Sequence, residues 1–325
     1  MKLLLAGTAA SFFSLAVHGQ VATDGQPPMP RIVSYVQQEI MRGQVEAAAG
    51  MLSHYRRLNG DTPEALDALS VLARGELASG HADKAIAEAD EIDRISQTTL
   101  ATRPLDAEPY LPLALGAAYE VKAEALIQQH KTSEALQMLH SALRKWKDTS
   151  VADRLQKNIN ILTLQGKPLP ALSETEWIGT RPAPAASMRG KAVLLFFWAH
   201  WCADCKAEAP IIAQLAAEFG PKGLVVVAPT KRYGYTADDE HAPAAKETAF
   251  IEKVYATYYA NIPNAGVPLD AANFERFGVS TTPTIVLIDR HHIVKLYHPG
   301  VMEEAALRAA IEPLLGVTVP PRPTP

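Results

Sequence analysis

The 325-residue chain has two cysteines, Cys202 and Cys205, and they stand two residues apart in "FFWAHWCADCKAEAP" (Phe196–Pro210). A pair so spaced can be a structural crosslink, half of a metal site or a redox centre. As a crosslink it closes too short a loop to constrain the unfolded chain. A structural zinc would need two further Cys or His ligands. There is no second C-x-x-C, and the one tight histidine pair, His291-His292, falls in a predicted hairpin turn. No metal site is therefore expected. A redox pair has a physical rationale. The apolar run "AVLLFFW" predicts a buried strand, and the pair opens the amphipathic segment after it, a predicted helix. The first sulfur then sits at a helix N-terminus, where unpaired N–H groups and the macrodipole favour a thiolate. Cys202 becomes the exposed attacking nucleophile and Cys205 the resolving thiol. Asp204, between them, is a redox-tuning residue. Its carboxylate raises the neighbouring thiol pKa and biases the pair toward a reductant.

The elements that must hold this pair belong to an alternating α/β stretch. "AVLLFFW" (Ala192–Trp198) reads as a central strand buried on both faces. A helix at Ala203–Phe219, the strand "GLVVVAP", and helices at Ala244–Ala260 and Ala271–Phe277 follow. "TIVLID" and "IVKLYH" predict an antiparallel hairpin turned at Arg290-His291-His292, and Glu303–Leu315 a last helix. Ala171–Trp177 alternates as an edge strand would. This order specifies a three-layer α/β/α sandwich over residues 166–316, with 317–325 an extended proline-rich tail. Tyr233, Tyr235, Tyr258 and Tyr259 lie in a long connection. They either line a substrate surface or pack the extra helix on the sheet.

The segment "VLLFFWAHWCADCKAEAP" resembles the active-site segment of the thioredoxin fold, and most of all its extracytoplasmic TlpA/ResA-like branch. Trp198, Ala199, Trp201, Cys202 and Cys205 match W-A-x-W-C-x-x-C, Lys206 follows, and Pro210 matches the proline of the first long helix. In "GVSTTPTIVLIDR" (Gly278–Arg290), Thr282-Pro283 falls where the family has a cis-proline opposite the cysteines. The resemblance spans about Gly166–Leu315. It implies a thiol–disulfide oxidoreductase acting on protein disulfides, served by a redox partner protein and needing no cofactor beyond the Cys202-Cys205 disulfide. It also implies that Thr282 pairs its backbone with an incoming peptide, that Pro283 excludes metals, and that Trp201 shapes the groove. Thioredoxins proper carry a buried aspartate where this chain has Phe196. Glu208, three residues after Cys205, matches the glutamate of the TlpA/ResA-like branch and is the candidate acid/base for Cys205. Peroxiredoxins share the fold, but their P-x-x-x-T-x-x-C context is absent before Cys202.

Residues 31–165 are alanine-rich with helical periodicity, predicting helices at 31–41, 44–58, 62–79, 82–98, 107–129, 132–146 and 149–164. Three second helices open alike at Gly43, Gly80 and His130, which puts Ala48, Ala85 and Ala135 in register. Small residues there let paired helices approach closely. The region resembles a degenerate tetratricopeptide (TPR) array of antiparallel helix pairs, which implies a protein partner or self-association. Residues 1–19 read as a signal peptide cleaved after Gly19, with an uncleaved membrane anchor as the alternative, and 20–30 as a linker. The mature chain is then periplasmic or secreted, without a stable membrane span. An apolar fraction of 48% and a formal net charge of −4 supply packed cores and no basic face for nucleic acid. The second function class is a TPR scaffold whose thioredoxin-like domain serves as a binding or assembly module.

Overall fold

The computed structural model describes residues 29–179 and 188–315, so the expected signal peptide, most of the linker and the tail lie outside the described residues. The first helices are α1 (Arg31–Met41), α2 (Val45–Asn59), α3 (Pro63–Ala78) and α4 (Ala82–Leu100). Next come α5 (Tyr110–Gln128), α6 (Thr132–Trp146) and α7 (Ala152–Thr163). Seven helices were expected within a few residues of these bounds. The start of α3 shows why the ends are legible: Thr62 Oγ1 accepts from Ala65 N at 3.3 Å, and Pro63 spends no N–H in the first turn.

The helices pack as pairs, α1 with α2, α3 with α4 and α5 with α6, while α1, α3 and α5 stack side by side. Ala48, Ala85 and Ala135 are fully buried. The three pairs share one turn. Gly43, Gly80 and His130 all take positive φ, at 73°, 86° and 61°. The residue after each donates its N–H back over the turn: Gln44 to Glu39 O (2.8 Å), His81 to Glu76 O (2.9 Å) and Lys131 to Leu126 O (2.8 Å). This is the glycine-type helix stop that satisfies terminal carbonyls. His130 adopts it at a cost of roughly 1–2 kcal/mol for a residue with a Cβ.

The second domain is built on a four-stranded sheet of order β3-β2-β5-β6. Its strands are β2 (Ala192–Phe197), β3 (Leu224–Val227), β5 (Thr284–Ile288) and β6 (Val294–Pro299). β2 runs parallel to β3 and antiparallel to β5, and β5 and β6 form the expected hairpin. Every residue of β2 is buried. Leu194 and Phe196 face α8 (Ala203–Phe219), α9 (Ala244–Tyr258) and α11 (Glu304–Ile311). Val193, Leu195 and Phe197 face the opposite way, onto Phe274 and Phe277 of α10 (Ala271–Phe277) and onto Leu164, just past α7. The helical domain thus supplies part of one outer layer.

The expected edge strand at 171–177 is corrected. Only Trp177–Ile178 (β1) is a strand, and it pairs with Val267–Pro268 (β4), apart from the main sheet. Ser173 and Thr175 commit their polar groups to α10 and its N-cap instead of a ladder. Ser173 N donates to Asn273 Oδ1 (2.7 Å), Asn273 Nδ2 to Ser173 O (2.9 Å), and Thr175 Oγ1 to Asp270 Oδ2 (2.8 Å). Asp270 also caps α10 through Ala272 N.

The seam between the domains is made at backbone level. Asn160 Nδ2 donates to Phe277 O at 2.8 Å. Gly278 has φ +59°, and a Cβ there would lie 2.5 Å from Lys157 N and 2.7 Å from Gln156 C. Only glycine admits both the left-handed conformation and this approach. No described helix is long and apolar enough to cross a membrane.

Candidate active site

β2 delivers the chain to the site, and the loop that follows is pinned on several sides. Trp198 is buried with its N–H bonded to Pro229 O (3.1 Å) and its indole Nε1 to Ala228 O (2.9 Å), while Thr230 Oγ1 donates to Trp198 O (2.9 Å). Tyr259 closes over the indole at 4.1 Å between ring centroids. Cys202 is the N-cap of α8, and its Sγ accepts from Cys205 N at 3.0 Å. The two cysteines are joined as a disulfide, with Cα atoms 5.3 Å apart.

Thr282-Pro283 is cis, and Thr282 O lies 3.4 Å from Cys202 Sγ. Thr284 Oγ1 bonds Thr281 O (2.7 Å) and Gly300 N bonds Pro283 O (2.8 Å), which fixes the loop from both ends. The expectation of an exposed nucleophile is corrected in degree. Cys202 is only 3% exposed and Cys205 0%. Cys202 is the less buried of the two residues, and its Sγ abuts the cis-proline loop.

Glu208 is 1% exposed and accepts from Met302 N through Oε1 at 2.9 Å, while its Oε2 has no hydrogen-bond partner. Burial pushes its pKa up to about 7; the Met302 N–H opposes that shift and the Asp204 charge adds to it. Cys205 and Glu208, three residues apart, lie on one face of α8, and both are buried. A buried carboxyl titrating near neutrality one helical turn from Cys205 has the proton affinity that an acid/base at neutral pH needs. Asp204 is exposed in the first turn of α8. His291 and His292 lie in the β5–β6 turn, where Asp289 Oδ1 accepts from His291 N and Ile293 N.

Sequence reasoning missed the support behind the active-site loop. His200, between the two tryptophans, is 1% exposed, and its Nε2 lies 3.2 Å from Glu247 Oε1. Glu247, on α9, also accepts from the backbone N–H groups of Tyr233 and Gly234. The rings of Tyr233, Tyr235 and Phe250 surround His200 edge-on at 5.1–5.5 Å. Tyr233 in turn meets Trp201 at 5.6 Å. Glu247 therefore ties the long connection to the loop carrying Trp201. Of the four tyrosines, Tyr259 is buried, Tyr233 and Tyr235 are half-buried in this brace, and Tyr258 is exposed beside Lys206. No spacing rule links His200 to a glutamate so far along the chain.

Residues 164–311 match the Redoxin family model. The chain is 29% identical over 143 residues to the thiol:disulfide interchange protein DsbE of Pseudomonas fluorescens biotype C, covering 44% of this chain and 71% of that one. It is 27% identical over 124 residues to the thioredoxin-like protein YneN of Bacillus subtilis, covering 38% and 65%. Among solved structures, a putative thiol:disulfide interchange protein DsbE from Chlorobium tepidum matches at 27% identity and a TM-score of 0.36, covering 47% of this chain and 98% of that one. Over 164–311 the α/β domain is thus similar to the thioredoxin-like redoxins, and a helical domain precedes it in the chain.

Proposed function

We propose that the protein is an extracytoplasmic thiol–disulfide oxidoreductase that reduces protein disulfides. The observation that carries this reading is the Cys202–Cys205 disulfide at the N-terminus of α8, with Cys202 Sγ 3.4 Å from Thr282 O in the cis-proline loop. In the reduced enzyme the Cys202 thiolate attacks a substrate disulfide. One substrate sulfur leaves as thiolate and a mixed disulfide forms. Cys205 then loses its proton to Glu208 and attacks Cys202 Sγ. The second substrate thiolate leaves and is protonated, and the enzyme is left oxidised, the state seen here. Electrons to restore the dithiol come from a partner redox protein, and no bound cofactor is required. Asp204 favours the reductant direction by opposing the Cys202 thiolate.

The helical domain, in this reading a TPR-like array, recruits the substrate or the redox partner. The leader-like residues 1–19 support a periplasmic or secreted location. Reduced protein should reduce insulin disulfides, Cys202→Ser should abolish this, and Cys205→Ser should accumulate mixed disulfides. Full activity in the Cys202→Ser protein would reject the mechanism, and a dithiol form with no reductase activity would favour a scaffold.

A further inference from the structure

We propose that the cleft between the helical domain and the cis-proline loop is a docking groove for the polypeptide segment flanking the substrate disulfide. This rests on the oxidoreductase reading and extends it to the substrate's main chain. The cleft measures about 830 Å³ and runs from Pro112, Leu113 and Arg154 on the helical side to Ser280 and Thr281 on the other. A volume in this range takes a drug-sized ligand, which in peptide terms is a few extended residues.

Three observations select that occupant. The first is continuity. Thr281 lines the cleft and precedes Thr282, whose carbonyl lies 3.4 Å from Cys202 Sγ. A chain attached at that sulfur passes into the cleft within a few residues, since an extended chain advances ~3.3 Å per residue. The second is rigidity. Lys157, on the cleft wall, has its backbone against Gly278, and Asn160 of the same helix holds Phe277 O. Tyr297 Oη donates to the carbonyls of both Phe277 and Gly278, at 2.8 and 3.2 Å. The wall is thus bonded to the residues that lead into the cis-proline loop, which lowers the ordering cost of binding.

The third is chemistry. The cations of the wall are already paired, Arg154 Nε with Glu120 Oε2 at 2.8 Å and Lys157 Nζ with the same oxygen at 3.0 Å. Asp106 is occupied by Ser150, and Glu108 accepts from Tyr110 N and Leu111 N. Each charged side chain of the lining thus already has a hydrogen-bond partner, whereas Leu113 stands 42% exposed as an apolar contact. The groove suits an extended segment with an apolar side chain a few residues from its cysteine.

The test uses the full-length Cys205→Ser protein. Single-cysteine peptides activated with thionitrobenzoate are coupled to it. The Cys202 thiolate displaces thionitrobenzoate, so the peptide–thionitrobenzoate S–S bond breaks and a peptide–Cys202 S–S bond forms. Each peptide carries a benzophenone at a different offset on either side of its cysteine. We expect photo-cross-links to the segments around Leu113 and Arg154, from offsets on one side only. Leu113→Asp should lower their yield several-fold per mixed disulfide formed. Cross-links confined to the α/β domain, or a yield indifferent to Leu113→Asp, would overturn the groove. Failure of any peptide to couple at Cys202 would instead overturn the oxidoreductase reading beneath it.

Discussion

Replacing Glu208 by glutamine keeps the carbonyl oxygen that accepts from Met302 N and removes a titrating group that is 1% exposed. Burial raises its pKa from 4.5 in the unfolded chain to about 7 in the fold. The sign follows from proton binding. Between those two values the folded chain holds a proton that the unfolded chain has released, so stability falls as pH rises through the interval. At ~1.4 kcal/mol per pH unit the loss is complete above pH 7 and amounts to about 3 kcal/mol. The glutamine variant has no such loss. Denaturant unfolding of the oxidised proteins should show the variant more stable by up to ~3 kcal/mol at pH 8, with the gap closing by about pH 4. Asp67 and Glu88, raised by burial to about 6 and about 7, titrate identically in both proteins and cancel in the difference. A gap that does not change with pH would refute the reasoning. The kinetic counterpart is an inflection near pH 7 in the resolution of mixed disulfides, present in the wild type and lost, with a slower rate, in the variant.

Asp204→Asn removes a negative charge beside the Cys202 thiolate. It should raise the reduction potential by roughly 10–30 mV in a glutathione equilibrium, and a lower potential would contradict the assigned direction. Gly278→Ala places a Cβ 2.5 Å from Lys157 N at φ +59°. A loss above ~2 kcal/mol is expected from left-handed strain plus overlap, and an unchanged melting temperature would deny the seam its role. In Glu247→Gln one amide N–H must face a backbone donor, because both carboxylate oxygens accept from backbone N–H groups. It should cost about 1–3 kcal/mol and raise KM for protein disulfides by loosening Tyr233 under Trp201, readable also in tryptophan fluorescence.

The helix bounds, the buried strand Ala192–Phe197 and the redox pair were legible because each rests on local pattern: apolar periodicity, proline and hydroxyl caps, a two-residue gap. The register of Ala48, Ala85 and Ala135 was legible for the same reason. The left-handed turn at His130 could be suspected only from its alignment with Gly43 and Gly80. Residues 171–176 misled because alternation reads as a strand, whereas Ser173 and Thr175 bond across to α10. The near closure of Cys202, the His200–Glu247 brace and the cleft above Thr281 all arise between segments distant in sequence. No periodicity encodes such meetings.

Leu164 sits at the end of the last helix of the N-terminal domain, yet its side chain belongs to the core formed by Val193, Leu195, Phe197, Phe274 and Phe277. The folding unit therefore does not end where the helical repeats do. Melting of α7 strips an outer wall from the sheet, and loosening of the sheet leaves α7 without a floor. The full chain should consequently unfold in one cooperative transition, with the redox domain and its helical neighbour sharing a single stability.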